Sequence, residues 1–475
     1  MSANQPFLFG TASAALQYEG APQARGLTVW DQFCDNPGPS GLARCAVHAG
    51  MAVDQYNLSR LASDIVRMQA LGTTAYRLSL SWARIMPTGR PPAEPSSIAH
   101  YRQVFAMLTA AGIEPFPTLF HFDTPLALEQ SEGGWLNRSM VDHFAVYATL
   151  CFKAFGPYVR WWTTLNEPHT VATSGYLWGA AAPGRCSDRG RCASGDGRTE
   201  PYRVAHHMLL AHATAVAAFR ATGLSAQIGI VLSADWNEPR SVRDADAVAA
   251  ERRTIFQLSW FADPIWKGGY PREMVAAAGS RLPYFSATER ALLLNSSDFL
   301  AVNHYTSRYA HAPSRCVAEV NSSGWTDDTC AVTSAYRDGI AIGPRGGSDW
   351  LFSVPWGLHK LLLWMRARYA SVPFLITENG VDDLPGEGLH DHFRIAYHAQ
   401  YLDAVRTAMA AGVDVRAYFV WSLLDNWEWS DGFKRRFGLF AVDDDPTELR
   451  PPTLTRVAKE SVGWLRSAIR QWPGR

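Results

Sequence analysis

Short apolar runs rich in Val, Ile, Phe, Tyr and Trp recur along this chain, and between them lie longer segments whose apolar residues return every three or four positions. The first pattern belongs to buried strands and the second to amphipathic helices. Eight strands are predicted, at Phe7–Thr11, Ala75–Ser81, Phe116–His121, Val159–Leu165, Gln227–Ser233, Asp298–Tyr305, Phe374–Glu378 and Val415–Trp421. Phe116–His121 is the weakest, because Pro117 has no N–H for a ladder and belongs at an edge. Helical periodicity fills the gaps at Tyr56–Leu71, Ile98–Ala111, Met140–Phe155, Tyr202–Ala221, Val354–Tyr369 and Phe393–Ala411. Strand–helix alternation repeated eight times predicts an α/β fold, a parallel (β/α)8 TIM barrel. A doubly wound sheet is the alternative, but no Gly-x-Gly-x-x-Gly follows the first strand.

Residues 179–200 and 306–350 are rich in Gly, Ser, Asp and Pro and interrupt the alternation. They read as long βα-loop insertions, which in a barrel form the rim of the active site. A chain of 475 residues could hold two or three domains. One barrel with such insertions also reaches this length, and no linker, repeat or low-complexity tract divides the sequence, so a single domain over residues 1–475 is predicted.

Lys plus Arg and Asp plus Glu both number 44, so the formal net charge is zero and no nucleic-acid or membrane-surface partner is expected. No apolar run is long enough to span a bilayer. Residues 1–6 are too few and too polar for a secretory signal, which points either to a cytosolic protein or to one whose leader has been removed. Oligomeric state is left open, a homodimer included. The 18 Trp are a high number, and although most should lie in the core, aromatic faces also pack against the C–H groups of sugar rings.

Cys34 and Cys45, Cys186 and Cys192, and Cys316 and Cys330 each flank a short loop, so three disulfides are open to the chain, with reduced loop cysteines as the alternative. Cys151, on an apolar helix, is left as a buried thiol. No cysteine pair has zinc-finger spacing. His206, His207 and His212 share one helix, but without His-Glu-x-x-His they read as packing or surface residues, and neither a metal nor an organic cofactor is expected. Asn57, Asn137, Asn295 and Asn321 begin Asn-x-Ser sequons that read as chance matches.

Chemistry gathers where the strands end. Gln17 and Glu19 follow the first strand, Arg77 lies in the second, and His121 and Asp123 close the third. Asn166 and Glu167 close the fourth, Asn303 and Tyr305 the sixth, Glu378 and Asn379 the seventh, and Trp421, Glu428 and Trp429 the eighth. One such residue is an ordinary capped turn. A whole rim of them is a site. Two glutamates at strand ends are what a retaining glycosidase needs, one to donate a proton and one to attack carbon.

Four segments in order give a specific resemblance to family 1 glycoside hydrolases, the β-glucosidase family, over about Phe7 to Trp464. Phe7-Leu-Phe-Gly-Thr-Ala-Ser-Ala-Ala-Leu-Gln-Tyr-Glu-Gly-Ala resembles its N-terminal signature, Thr164-Leu-Asn-Glu-Pro its acid/base motif and Ile376-Thr-Glu-Asn-Gly its nucleophile motif. Trp421-Ser-Leu-Leu-Asp-Asn-Trp-Glu-Trp resembles its sugar-recognition segment. The resemblance implies that Glu378 is the nucleophile and Glu167 the acid/base, with Arg77, Asn166 and Tyr305 in the catalytic set. It implies sugar contacts from Gln17, His121, Asn166, Asn303, Glu428 and Trp429, with Trp421 as the stacking floor. Because the Glu428-Trp429 pair of non-phosphorylated substrates is kept, a neutral small-molecule or oligosaccharide β-glycoside is the expected partner. Lys434, Arg435 and Arg436 nearby read as solvated or loop-bracing charges.

Pro183-Gly-Arg-Cys, Cys192, Thr199-Glu-Pro-Tyr-Arg-Val-Ala-His-His and Gly346-Gly-Ser-Asp-Trp-Leu-Phe-Ser-Val-Pro-Trp-Gly resemble plant-type members. That implies a Cys186–Cys192 disulfide and aglycone stacking by Trp350. The family pattern is broken at Phe122 (usually Trp), His304 (usually Tyr) and Trp427 (usually Phe), which leaves glucoside, galactoside and fucoside preference open and makes these residues, with Trp350, the expected determinants of substrate choice. A transglycosylase on the same machinery and a non-catalytic sugar-binding protein are the alternatives; the second needs a lost glutamate, and both are present.

Overall fold

The computed structural model describes residues 6–317, 323–370, 372–443 and 453–472; Asn321 lies outside them. Eight parallel strands close into a barrel: β1 (Leu8–Ala12), β2 (Ala75–Ser79), β3 (Glu114–Phe120), β4 (Trp161–Asn166), β5 (Gln227–Ser233), β6 (Leu300–Asn303), β7 (Phe374–Asn379) and β8 (Val415–Val420). Each pairs with its neighbours in chain order, and β8 closes on β1 with Leu8 opposite Ala417 and Thr11 opposite Val420. No strand end lies more than two residues from its predicted place. The helix predicted from Ile98 begins earlier, at Pro95, because the Glu94 carboxylate caps it by accepting from the Ser96 N–H at 3.1 Å. Such a polar first turn carries no apolar stripe.

Pro117 does sit in a central strand, and so does Pro115. The Glu114 N–H points to β2, bonding Thr74 O at 2.9 Å, so the odd-numbered residues face β4. Pairing of β3 with β4 is accordingly confined to Thr118 and Phe120. The Thr163 hydroxyl supplies a side-chain link, donating to Pro117 O at 3.3 Å.

Large and small residues alternate inside the barrel. Phe116 lies 5.0 Å from Phe419 and 6.2 Å from Phe299 across the interior, ring centre to ring centre. Gly10 and Gly229 face these rings. A Cβ at Gly10 would sit 2.2 Å from Phe419, and one at Gly229 2.5 Å from Phe299. The barrel is thus a packed core, with its open end at the strand C-termini.

The insertion after β6 is not all loop. Ser307–His311 and Val332–Ser334 join Trp236–Pro239 in a three-stranded sheet of their own. Further helices lie between β5 and β6, among them Asp244–Thr254 and Trp260–Lys267. The segment after β8 is anchored by a buried charge cluster: Lys459 donates to Asp383 at 2.7 Å and Asp425 at 3.0 Å, and Arg394 donates to Asp391 and Asp383 at 2.5 Å each. Arg435 donates to Gly347 O at 2.7 Å, bracing that segment against the loop that carries Trp350.

Cys34 pairs with Cys45, Cys186 with Cys192 and Cys316 with Cys330, with Cα atoms 5.1, 5.6 and 5.2 Å apart, and Cys151 is a buried free thiol. His206 stacks on Phe285, His207 bonds Trp135 O and His212 bonds the Thr164 hydroxyl, so the three histidines on one helix pack in three different directions. Among the described residues no helix is long and apolar enough to cross a membrane.

Gly10→Val would force a branched side chain into the Phe419 ring. A loss of about 1–3 kcal/mol or more is expected, read as a lowered denaturation midpoint, whereas the same change at the open, left-handed Gly223 should cost less.

Candidate active site

The rim residues converge on a cavity of about 360 Å³ at the strand C-termini. Gln17, His121, Asn166, Glu167, Tyr305, Trp350, Glu378, Trp421, Glu428 and Trp429 all line it. Both glutamates sit where the sheet loses its register. Pairing of β4 with β5 slips between Thr163 and Asn166, and pairing of β7 with β6 slips between Ile376 and Glu378. Such irregularities re-aim the side chains that follow.

Glu167 is held in the left-handed region, φ +43°, between the end of β4 and a short helix that begins at Pro168. Its N–H bonds Val231 O at 2.9 Å and its C=O accepts from Val171 N at 3.2 Å, so neighbouring backbone holds a conformation that costs a non-glycine residue on the order of 1 kcal/mol. Phe122 and Trp429, also on the cavity wall, share this strain with φ of +70° and +52°.

Glu378, next to last in β7, lies between a cation and a phenol. Arg77, fully buried in β2, donates through Nη1 to Glu378 Oε1 at 2.5 Å and through Nη2 to Asn166 Oδ1 at 2.7 Å. The Tyr305 hydroxyl donates to Glu378 Oε2 at 2.7 Å. Tyr305 is fixed in turn by its own carbonyl, which accepts from the Tyr397 hydroxyl at 3.0 Å. Gly380, two residues past Glu378, is required by packing, since a Cβ there would lie 1.8 Å from Trp421 O.

Among the described residues the carboxylate of Glu167 contacts no cation. It accepts from the Asn303 amide at 2.7 Å and the Thr170 hydroxyl at 2.7 Å. Burial, and then the charge of Glu378, push its pKa up to about 7. Burial and the charge of Glu378 likewise lift Glu428 to about 8, against the pull of the Trp421 indole N–H bonded to it at 3.0 Å.

Polar groups deep in the cavity are incompletely paired. Gln17 donates to Asn426, Trp427 O and Glu428, leaving its Oε1 buried without a partner among the described residues. His121 lies near the Asn166 amide through Nε2 at 3.3 Å, and its Nδ1 is buried and has no partner among the described residues. Burial and the nearby Arg77 push the imidazole well below its usual pKa, so it is neutral; accepting at Nε2 leaves Nδ1–H as the free donor. Its ring lies parallel to both Trp421 and Trp429, tilted by 14° and 10° with centres 6.0 Å away. Trp350, 47% exposed, stands at the cavity edge against Tyr305.

Some strand-end residues go elsewhere. Asn303 is not part of the cavity wall: its amide nitrogen serves Asn166 and Glu167, and its oxygen accepts from Thr377 at 2.8 Å. Glu19 turns away to Arg84 and Tyr101. His304 and Trp427, expected to bear on substrate choice, are fully buried behind the wall, whereas Phe122 is on it. Conversely Val29, Trp30, Trp135 and Tyr176 line the cavity without a strand-end polar signature, and Ala180–Pro183 do so from the insertion read as rim.

The raised pKa of Glu167 makes a stability prediction. Its carboxyl holds a proton in the folded chain between its ordinary value of 4.5 and about 7. This contribution is full below 4.5 and is lost as pH rises through 7. Glu167→Gln should therefore gain stability relative to the parent, on the order of 1–3 kcal/mol, between pH 5 and pH 8. Denaturant midpoints at the two pH values test this, and no change in the difference would refute it.

The model of glycosyl hydrolase family 1 matches residues 2–472. Beta-glucosidase 6 of Oryza sativa subsp. japonica is 43% identical over 478 residues, 98% of this chain and 90% of the relative. The crystal structure of the rice Os3BGlu6 beta-glucosidase superposes with a TM-score of 0.92 over 97% of each chain, at 43% identity. A mutant of that enzyme has been solved in a covalent complex with Glc. A beta-glucosidase of the fungus Humicola insolens, in complex with glucose, has a TM-score of 0.90 at 38% identity over 99% of each chain. With the barrel, the paired glutamates and this likeness over nearly its whole length, the chain belongs to glycosyl hydrolase family 1.

Proposed function

We propose that this chain is a retaining β-glucosidase in which Glu378 is the nucleophile and Glu167 the acid/base. The observation that carries the division of roles is the difference in their partners. Glu378 is bound by Arg77 and Tyr305. A cation and a phenol on its two oxygens hold and orient the group that must attack. Glu167 has no cation at hydrogen-bond distance among the described residues and a pKa of about 7, so it carries a proton to give.

In the first step Glu378 attacks the anomeric carbon as Glu167 protonates the glycosidic oxygen. The aglycone leaves as an alcohol, and a glycosyl ester forms on Glu378. In the second step Glu167, now ionised, takes a proton from water as the water oxygen attacks the same carbon. Glu378 leaves as carboxylate and the β-sugar is released with retained configuration. Loss of the Glu378 charge in the ester removes one cause of the high pKa of Glu167, which suits its change from acid to base.

Asn166, on the Arg77 fork, is set to bind the 2-hydroxyl, a contact that strengthens as the oxocarbenium-like state forms. The free Gln17 Oε1 and His121 Nδ1–H, together with Glu428, bind further hydroxyls, and Trp421 and Trp429 supply faces for the ring. Asn303 acts through Asn166 and Glu167 as a positioning residue.

Glu378→Ala should lower kcat on nitrophenyl β-glucoside by on the order of 10⁴-fold or more. Azide should restore turnover and yield the α-glucosyl azide, identified by NMR; undiminished activity in the mutant would overturn the assignment. For the parent, kcat/KM should fall as pH rises through about 7, when Glu167 loses its proton. The same limb should be weak for a dinitrophenyl glucoside, whose leaving group needs little protonation. An equally steep limb for both substrates would argue against the acid role.

A further inference from the structure

We infer that a second cavity, beside the insertion after β6, binds a small organic carboxylate carried on a ring-shaped or apolar body. This cavity has a volume of about 350 Å³ and shares no wall residue with the catalytic one. The site does not depend on the β-glucosidase reading above.

Its wall carries Arg253, from the helix Asp244–Thr254. The guanidinium carbon lies 4.2 Å from the centre of the Trp325 ring, so one face of the cation rests on an indole. Stacking of this kind uses the face and leaves the N–H edges free to donate. Arg253 is half-buried, yet it makes no hydrogen bond or ion pair with any described residue. Burial draws its pKa down to about 10, so it is still a cation at neutral pH. The Asp235 carboxylate offsets that burial only from beyond ion-pair distance, and Arg308 adds a like charge. The enclosed arginines elsewhere are paired: Arg77 with Glu378, Arg84 with Glu19, and Arg394 with Asp383 and Asp391. Arg253 thus brings an unspent fork of donors to a cavity, where a charge without a partner is costly.

The rest of the wall suits the body of such a ligand. Trp178 stands edge to face with Trp325, ring centres 6.1 Å apart, and the Cys316–Cys330 bridge adds apolar surface. Arg315 supplies a second, exposed cation, and the Thr333 hydroxyl has no partner among the described residues. Asp327 is also on the wall, with its Oδ2 accepting the Ser323 N–H at 2.7 Å. One carboxylate against two guanidiniums leaves the wall cationic. A planar carboxylate matches the two parallel donors of a guanidinium edge, and its ring or chain covers the indole and disulfide surface that a bare inorganic anion would leave in water.

Calorimetric titration of the full chain with benzoate, benzamide and inorganic phosphate tests this site. Benzoate should bind saturably and about tenfold or more tighter than either of the others. Arg253→Gln should weaken benzoate binding about tenfold or more, while the denaturation midpoint and kcat on nitrophenyl β-glucoside stay at the parent values. Arg253→Lys, which keeps the charge and loses the planar fork, should fall between the two. Absence of saturable benzoate binding, benzamide or phosphate binding as tightly as benzoate, or unaltered benzoate affinity in both variants overturns the assignment. Loss of kcat in step with benzoate affinity would place the ligand in the catalytic cavity and overturn the separate site.

Discussion

A guanidinium inside a barrel must be neutralised and hydrogen-bonded, and Arg77 meets both needs at once with Glu378 and Asn166. The rest of the site depends on this fork. Asn166 oxygen also accepts from Asn303, whose amide reaches Glu167, so one line of contacts runs from one glutamate to the other. That line has three consequences. It places a cation beside one carboxylate and, among the described residues, none within bonding distance of the other. It leaves Glu167 to feel the charge of Glu378 across a buried space. It also uses up Asn303, which a strand-end position alone would offer to substrate.

The fork sits on a frame in which backbone irregularity is confined to the working end. Below it, aromatic rings and glycines fill the barrel. Above it, register slips and left-handed residues turn Glu167, Phe122 and Trp429 toward one space. Neighbouring backbone bonds hold the left-handed turn at Glu167. Such strain persists only where its surroundings over-determine it, and here it coincides with the cavity wall.

Much of this was legible along the chain. Hydrophobic periodicity depends on local geometry, so each barrel strand appeared within two residues of its place. Pro117, which argued against a central strand, sits in one all the same, and the Thr163 hydroxyl of β4 donates to its carbonyl. The short spacings of the cysteine pairs offered three bridges, and the folded chain forms all three. The insertion after β6 was harder to read, since its small sheet draws a strand from after β5, a pairing that no local pattern records.

The sequence by itself determined the alternation of strand and helix, the rim of polar residues at the strand ends and the two glutamate motifs, because these depend on neighbours a few positions away. Only the tertiary structure decided which rim residues share a space. Glu19 follows β1 as Gln17 does, yet one turns to Arg84 and the other into the cavity. His304 and Phe122 are both departures from the family pattern, yet only Phe122 is on the wall. The apolar wall of Val29, Trp135, Tyr176 and Ala181 is assembled from three separate segments, none with a distinguishing pattern of its own. Orientation and partner choice are set by contacts between residues far apart in the chain, and a linear pattern carries no term for them.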